Sequence, residues 1–212
     1  MSSPVKKLFM SISGLFLILF LTLHMSVNLI AVFSLPAYDK ACRFMGTNPL
    51  VRVMVPVLAA GFIVHIVYAI ILTLKNQKAR GGERYAVSSA TKIGWPSKNM
   101  MVLGIIILGA LLIHLTHFWA KMQLQEFLGK EAIPGSILLL KTFGNTWNVF
   151  LYIVWILAIA FHLSHGFWSA FQTVGWSNGK WAVRIKIIAH SYMTLLIIGF
   201  LTTVIYFYIQ SF

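Results

Sequence analysis

The chain has 212 residues, of which 59% are apolar and only 10% charged, with a mean hydropathy of +0.84. A soluble domain carries about 25% charged residues, so a fully water-facing surface is excluded and the chain reads as an integral membrane protein. Its 17 Lys and Arg outnumber its 4 Asp and Glu, but they lie between apolar stretches rather than on a soluble basic face, so membrane orientation accounts for them and nucleic acid is excluded as a partner.

In chain order, five apolar blocks occupy about residues 8–33, 50–74, 100–122, 147–171 and 185–209. Each reaches the ~20 residues that a membrane-spanning helix needs. The first block is too long for a cleaved leader and no small-x-small cleavage pattern follows it, so it is read as span 1. Strands would expose unpaired edges to lipid, and the blocks lack strict alternation. The expected fold is therefore all-α: a single domain, 1–212, with an up-down four-helix core and a fifth helix beside it. The connection from residue 76 to 98, with Gly81-Gly82 and Pro96, is too short for a second domain. Cys42 is the single cysteine, which excludes an intrachain disulfide and any Cys-based zinc or iron–sulfur site within this chain.

Lys6, Lys7, Lys75, Lys78, Arg80, Arg84, Lys92, Lys98, Lys180, Arg184 and Lys186 fall at one end of the spans. Lys40, Arg43, Arg52, Lys121, Lys130 and Lys141 fall at the other, with the acids Asp39, Glu126 and Glu131. The positive-inside rule then places the N-terminus in the cytoplasm and the C-terminus outside. Trp95, Trp119, Trp147, Trp176 and Trp181 sit near span ends, where an indole keeps its ring in hydrocarbon and its N–H among headgroups.

The spans hold almost no acid but contain or adjoin His24, His65, His114, His117, His162, His165 and His190. Neutral imidazole can ligate haem iron without carrying a net charge into lipid, whereas an isolated His is more simply a hydrogen-bonding residue between helices. Spans 1 to 4 each carry at least one. At 1.5 Å rise per residue, His24 and His117 lie about 6 and 9 Å beyond the middle of outward-running spans, and His65 and His162 about 5 and 6 Å beyond the middle of inward-running ones. Two layers result, each with histidines from two helices that can be diagonal in an up-down bundle. Bis-His ligation of one haem per layer leaves no open iron position, which points to electron transfer. Depth admits either member of the pairs His114/His117 and His162/His165. A di-iron oxygenase needs more His and carboxylates converging at one depth, and a transporter needs broken helices or half-repeats, where only Pro56 interrupts a core span.

Several stretches resemble the five-helix dihaem cytochrome b anchors of succinate:quinone oxidoreductases and quinol:fumarate reductases. They are Leu23-His24-Met25-Ser26-Val27-Asn28, Ile63-Val64-His65-Ile66-Val67-Tyr68, His117-Phe118-Trp119 and Phe161-His162-Leu163-Ser164-His165-Gly166-Phe167-Trp168-Ser169, together with the outer segment from Arg43-Phe44-Met45 to Pro49-Leu50. The resemblance covers essentially the whole chain, although the motifs are short. It selects His117 over His114 and His162 over His165. It implies two b haems, one ligated by His65 and His162 toward the cytoplasm and one by His24 and His117 toward the outside.

It further implies an iron–sulfur subunit and an FAD-bearing flavoprotein as partners, with electrons passed to or from quinone, usually menaquinone, in a bacterial inner membrane. The dicarboxylate chemistry then belongs to the flavoprotein, and a dimer of the heterotrimer is one assembly the resemblance admits. Lys92, Lys98, Ser11 and Ser13 are candidate partners of haem propionates, and membrane lipid is an alternative contact for the basic residues. Asp39 and Glu126 are the acids available at the outer quinone site. Two departures stand out: Gly46 occupies a place where some relatives carry an acid, and Ala160 stands two residues before His162 where some carry a glutamate. The haem pattern by itself also fits a dihaem anchor of another dehydrogenase, such as a hydrogenase or formate dehydrogenase.

Overall fold

The computed structural model describes residues 3–80 and 94–212. Among them the elements are helical: α1 (Ser3–Phe33), α2 (Leu35–Thr47), α3 (Pro49–Arg80), α4 (Trp95–Lys98), α5 (Met100–His117), a 3-10 turn (Trp119–Lys121), α6 (Gln123–Phe127), α7 (Gly135–Phe143), α8 (Thr146–Thr173) and α9 (Gly179–Ile209). Five of them, α1, α3, α5, α8 and α9, are long and apolar enough to cross a membrane. Lys92, Arg84 and Gly81-Gly82 lie outside the described residues.

The helix ends depart from the apolar blocks for local reasons. α1 begins before Lys6 and Lys7, and α3 continues past Lys75 and Lys78, because long basic side chains let a helix run into the headgroup layer without burying charge. α5 stops at His117, short of the predicted residue 122: Phe118 leaves helical geometry at φ −121°, ψ −68° and its ring is buried. Caps mark the other boundaries. The Ser34 hydroxyl accepts from the Ala37 N–H ahead of α2, Asn48 Oδ1 accepts from Leu50 N–H where Pro49 opens α3, and Asn145 Oδ1 accepts from the N–H groups of Trp147 and Asn148 at the start of α8.

Side-chain contacts set the helix directions. Along α1, Phe9 stacks on Tyr68, and Phe20 meets Phe62 edge-on; rising numbers in α1 meet falling numbers in α3, so the two are antiparallel. Thr22 touches the Tyr192 hydroxyl and Met25 packs on Gly199, which makes α9 parallel to α1. Phe167 meets Tyr192 and Thr146 meets Tyr208, so α8 runs against α9. α1 also packs against α8, α5 packs chiefly against α8, and α5 makes only a thin contact with α3.

The core is concentrated toward the ends of α1, α5 and α9, where α7 is wedged among α2, α8 and α9. Leu138 and Leu139 of α7, Phe118, Phe143, Tyr152 and Phe207 form its centre. Elsewhere the spans leave large apolar side chains uncovered, among them Leu19, Ile63, Ile105 and Leu195, each 60–67% exposed. In water such a surface would aggregate; in a bilayer it faces lipid tails at no cost. None of the described side chains of α3 is fully buried.

A polar tie holds α7 in place. α7 has no side-chain cap of its own after Pro134, and Asp39 of α2 supplies one from outside: Oδ1 accepts the Ser136 backbone N–H at 2.9 Å and Oδ2 accepts the Ser136 hydroxyl at 2.6 Å. The carboxylate thus meets orphan donors and the positive end of the helix dipole. Gly135 lets α7 come this close, since a Cβ there would lie 2.7 Å from the Tyr38 ring. Asp39→Ala is expected to lower unfolding stability by about 1–3 kcal/mol and Ser136→Ala by less, because the backbone bond survives the second change. SDS or thermal unfolding midpoints measure both, and equal losses would show that Asp39 does not act as the cap.

Candidate functional site

Two of the predicted site residues, His65 and His162, come together from α3 and α8, with ring centres 6.2 Å apart and planes at 62°. His65 is held from α1. Ser13 donates its hydroxyl proton to the Met10 carbonyl at 3.0 Å, which leaves the Ser13 oxygen facing His65 Nδ1 at 3.4 Å. Gly14 makes room beside it, since a Cβ there would stand 3.4 Å from His65 Cε1. The backbone of α1 and one hydroxyl therefore engage the Nδ1 edge and leave Nε2 for a ligand. On the other side, His162 Nδ1 is buried and has no hydrogen-bond partner.

His24 meets His114, with ring centres 5.7 Å apart and planes perpendicular. Phe20 stacks on His24 one turn earlier in α1, and Phe200 of α9 closes one side. His114 is enclosed by Phe118, Tyr152 and Trp155. Trp155 Nε1 is another buried donor with no partner. His117 takes a different place. It is half-buried, stacks on Tyr152 with ring centres 6.0 Å apart, and has Nδ1 3.2 Å from the Tyr152 hydroxyl. The structure thus brings His24, His65 and His162 to two interhelical pairs and places His117 outside both.

The preference for His114 carries a sequence signal. Leu103 and Ala110 are the buried residues of α5, and together with Ile107 they define a stripe at helical spacing whose next member is His114. His117 lies at the edge of that stripe and at the end of the helix. His165 contacts Trp168, over whose ring Lys186 places its ammonium at 4.3 Å, and exposed His190 has Nδ1 2.7 Å from the Lys186 carbonyl in its own helix. Neither joins a pair. Among the small residues near the histidines, Gly61 is filled by the Phe16 ring, whereas Gly104 and Gly109 face open space. Ser11 and Ser13 are buried, and Lys98 is exposed at the end of α4.

Asp39 and Glu126 lie at the opposite end from Lys6 and Lys75. Asp39 is occupied as the cap of α7. The Glu126 carboxylate rests directly on buried Gly46, so any Cβ at position 46 would overlap it; a carboxylate from α6 fills the space that a side chain at 46 would take. Arg52 stands over the neighbouring Phe127 ring at 5.0 Å. Burial raises the Glu126 carboxyl above its ordinary value, and the charges of Arg52 and Arg43 pull it back only in part. Burial also pushes the Cys42 thiol up to about 11, with the Tyr38 hydroxyl opposing this and Asp39 and Glu126 adding to it. The thiol therefore stays protonated and unreactive at neutral pH.

Protein-family models, curated proteins and solved structures contain no match to this chain. The chemistry must be read from the two histidine pairs themselves. Among the described residues no group of three or more His, Cys, Asp and Glu could hold a metal ion. What each pair offers is two imidazoles from different helices, with ring centres 6.2 and 5.7 Å apart.

A carboxyl whose folded pKa is raised binds its proton more tightly folded than unfolded, so Glu126 lowers stability as pH rises through the carboxylate range and above it. Glu126→Gln is expected to be the more stable form at neutral pH and to converge with the parent below about pH 4. Unfolding midpoints across that range would contradict this if the variant were the less stable one at neutral pH.

Proposed function

We propose that this chain is the haem-bearing membrane anchor of a succinate:quinone oxidoreductase or quinol:fumarate reductase, carrying electrons between an iron–sulfur subunit and membrane quinone. The observation that carries the reading is the spacing of the two pairs. Two imidazoles bonded at about 2.0 Å to opposite faces of one metal ion place their ring centres about 6 Å apart, and the pairs stand at 6.2 and 5.7 Å. The unpartnered nitrogens His162 Nδ1 and Trp155 Nε1 lie at one pair each, and none of the described side chains of α3 is fully covered. Both features suit a bundle that accommodates prosthetic groups.

His65 and His162 would hold one b haem, and His24 would hold the other together with His114. This second assignment departs from the His24 and His117 pair that the motif resemblance implies. Haem held by two histidines supplies one-electron transfer with no vacant iron position. The protein's own part is to orient the imidazoles: Ser13 and the Met10 carbonyl behind His65, Tyr152 behind His114, and the rings of Phe20 and Trp155 closing the outer site.

The helix contacts support an up-down core in which α1, α3, α5 and α8 follow one another around a ring with α9 outside it. The histidine pairs then link the diagonals α1 to α5 and α3 to α8. Basic residues crowd the end of α1 where the chain begins, with Lys6 beside Lys75 and Arg184 laid over Trp181. This supports a cytoplasmic N-terminus in a bacterial inner membrane and an inner face that receives the iron–sulfur subunit and, beyond it, the FAD flavoprotein. The substrate on the membrane side would be menaquinone, as the resemblance implies.

Reduced-minus-oxidised spectra test the reading on purified full-length chain in its complex. The parent is expected to show b-type bands with two haems per chain. His65→Ala and His162→Ala should each remove one haem, and His24→Ala and His114→Ala the other. Absence of b-type bands in the parent would refute the assignment, and loss of the outer haem in His117→Ala but not His114→Ala would restore the His24 and His117 pair.

A further inference from the structure

The surroundings of His65 decide which of its nitrogens carries the proton. Its Nδ1 faces two groups of α1, the Met10 carbonyl and the Ser13 oxygen at 3.4 Å. A carbonyl can only accept, and the single Ser13 hydroxyl proton is already given to that same carbonyl at 3.0 Å. Neither group has a proton left for the ring. Nδ1 must therefore be the protonated nitrogen, donating toward α1, and the lone pair is left on Nε2.

This contact is held in register from both sides. Between antiparallel α1 and α3, Phe9 stacks on Tyr68 with ring centres 5.6 Å apart, and Phe20 meets Phe62 edge-on at 6.4 Å; Ser13 and His65 lie between these two contacts. Ser13 is itself buried, and Gly14 brings the α1 backbone so near that a Cβ would stand 3.6 Å from His65 Nδ1. His162 has no such support: its Nδ1 is buried without a partner. The two imidazoles of the pair are therefore unequal. An N–H that donates a hydrogen bond makes its ring the more basic ligand, and a more basic axial ligand favours the oxidised state of a bound iron.

The same proton count separates Ser13 from a second role. A haem propionate needs a donor, and the Ser13 proton is engaged by the Met10 carbonyl. We infer that Ser13 is a positioning residue for His65, accepting its Nδ1–H so that Nε2 is presented as the stronger ligand of the His65 and His162 pair, and that it does not serve a propionate. The inference rests on the dihaem reading for that pair and takes no account of which histidine of α5 completes the other.

An equilibrium redox titration followed by difference spectra tests it, on the full chain in its haem-loaded complex. The component to follow is the one that His65→Ala removes, and the other haem of the same molecules is the internal reference. Ser13→Ala is expected to shift the followed component toward its reduced state about two- to tenfold, the range of one neutral hydrogen bond, with about 59 mV for each tenfold in a one-electron couple. The reference haem should stay in place and the shift should be constant across the neutral pH range. Ser13→Thr, which keeps the hydroxyl, should stay within twofold of the parent; if Ser13→Ala sheds the haem, its retention at the parental potential in Ser13→Thr supports the same role. A shift below twofold in Ser13→Ala, a shift toward the oxidised state, or loss of the haem in Ser13→Thr would overturn the proposal while leaving the dihaem reading intact. A shift that varies with pH would assign Ser13 to a propionate and overturn it likewise, and absence of b-type bands in the parent would overturn both.

Discussion

An imidazole placed in hydrocarbon has two nitrogens to satisfy and no water to satisfy them. That constraint organises the spans. In each of the two interhelical pairs, one ring is engaged from behind and its free edge is turned toward the partner. Behind His65 stand the Ser13 oxygen and the N-terminal half of α1; behind His114 stands the Tyr152 hydroxyl. The supporting groups come from a different helix than the histidine they hold, so the geometry of each pair depends on helix packing. An i, i+4 contact within one helix would not impose that dependence.

The molecule is unequally finished along the membrane normal. Toward the ends of α1 and α5, α7 fills the bundle, Asp39 caps it, and the rings of Phe118, Phe143 and Tyr152 pack in edge-to-face contacts. This rigid end holds His24, His114 and His117. Around His65 and His162 the enclosure is thinner: none of the described side chains of α3 is fully covered, and α3 touches α5 only lightly. Lipid is a poor driving force for helix association because tails are as apolar as leucine, so a loosely covered helix gains most from a group that binds between it and its neighbours. A haem shared by His65 and His162 would supply contacts that the apolar residues of α3 do not make with protein.

Gly46 and Glu126 illustrate how the space at one position is filled from another element. Position 46 has no side chain, yet its space holds the Glu126 carboxylate, brought there by α6 from 80 residues further along the chain. Burial against Gly46 and the nearby charges of Arg52 and Arg43 then act on the same carboxyl in opposite senses. Position 46 by itself carries no acid, whereas the folded chain sets the Glu126 carboxylate against it.

Five membrane-spanning helices were legible in composition and run length, because a bilayer demands ~20 apolar residues per crossing and little else supplies them. The layering of His65 with His162 was legible too, since rise per residue turns sequence position into depth. The short helices α2, α6 and α7 were not: they lie outside the long apolar runs, and α2 and α7 depend on Ser34 and Asp39 meeting backbone N–H groups in their first turns. Nor was the choice between His114 and His117. Three residues separate them, so depth and motif tolerate both, and the difference is a rotation about the axis of α5. The packing of α8 against α5 places one tyrosine hydroxyl between the two rings and sets His114, not His117, beside His24. Composition and periodicity determine how many helices there are and which residues they carry to what depth; which way each side chain faces belongs to the tertiary structure, because it is set by what the neighbouring helix offers as a partner.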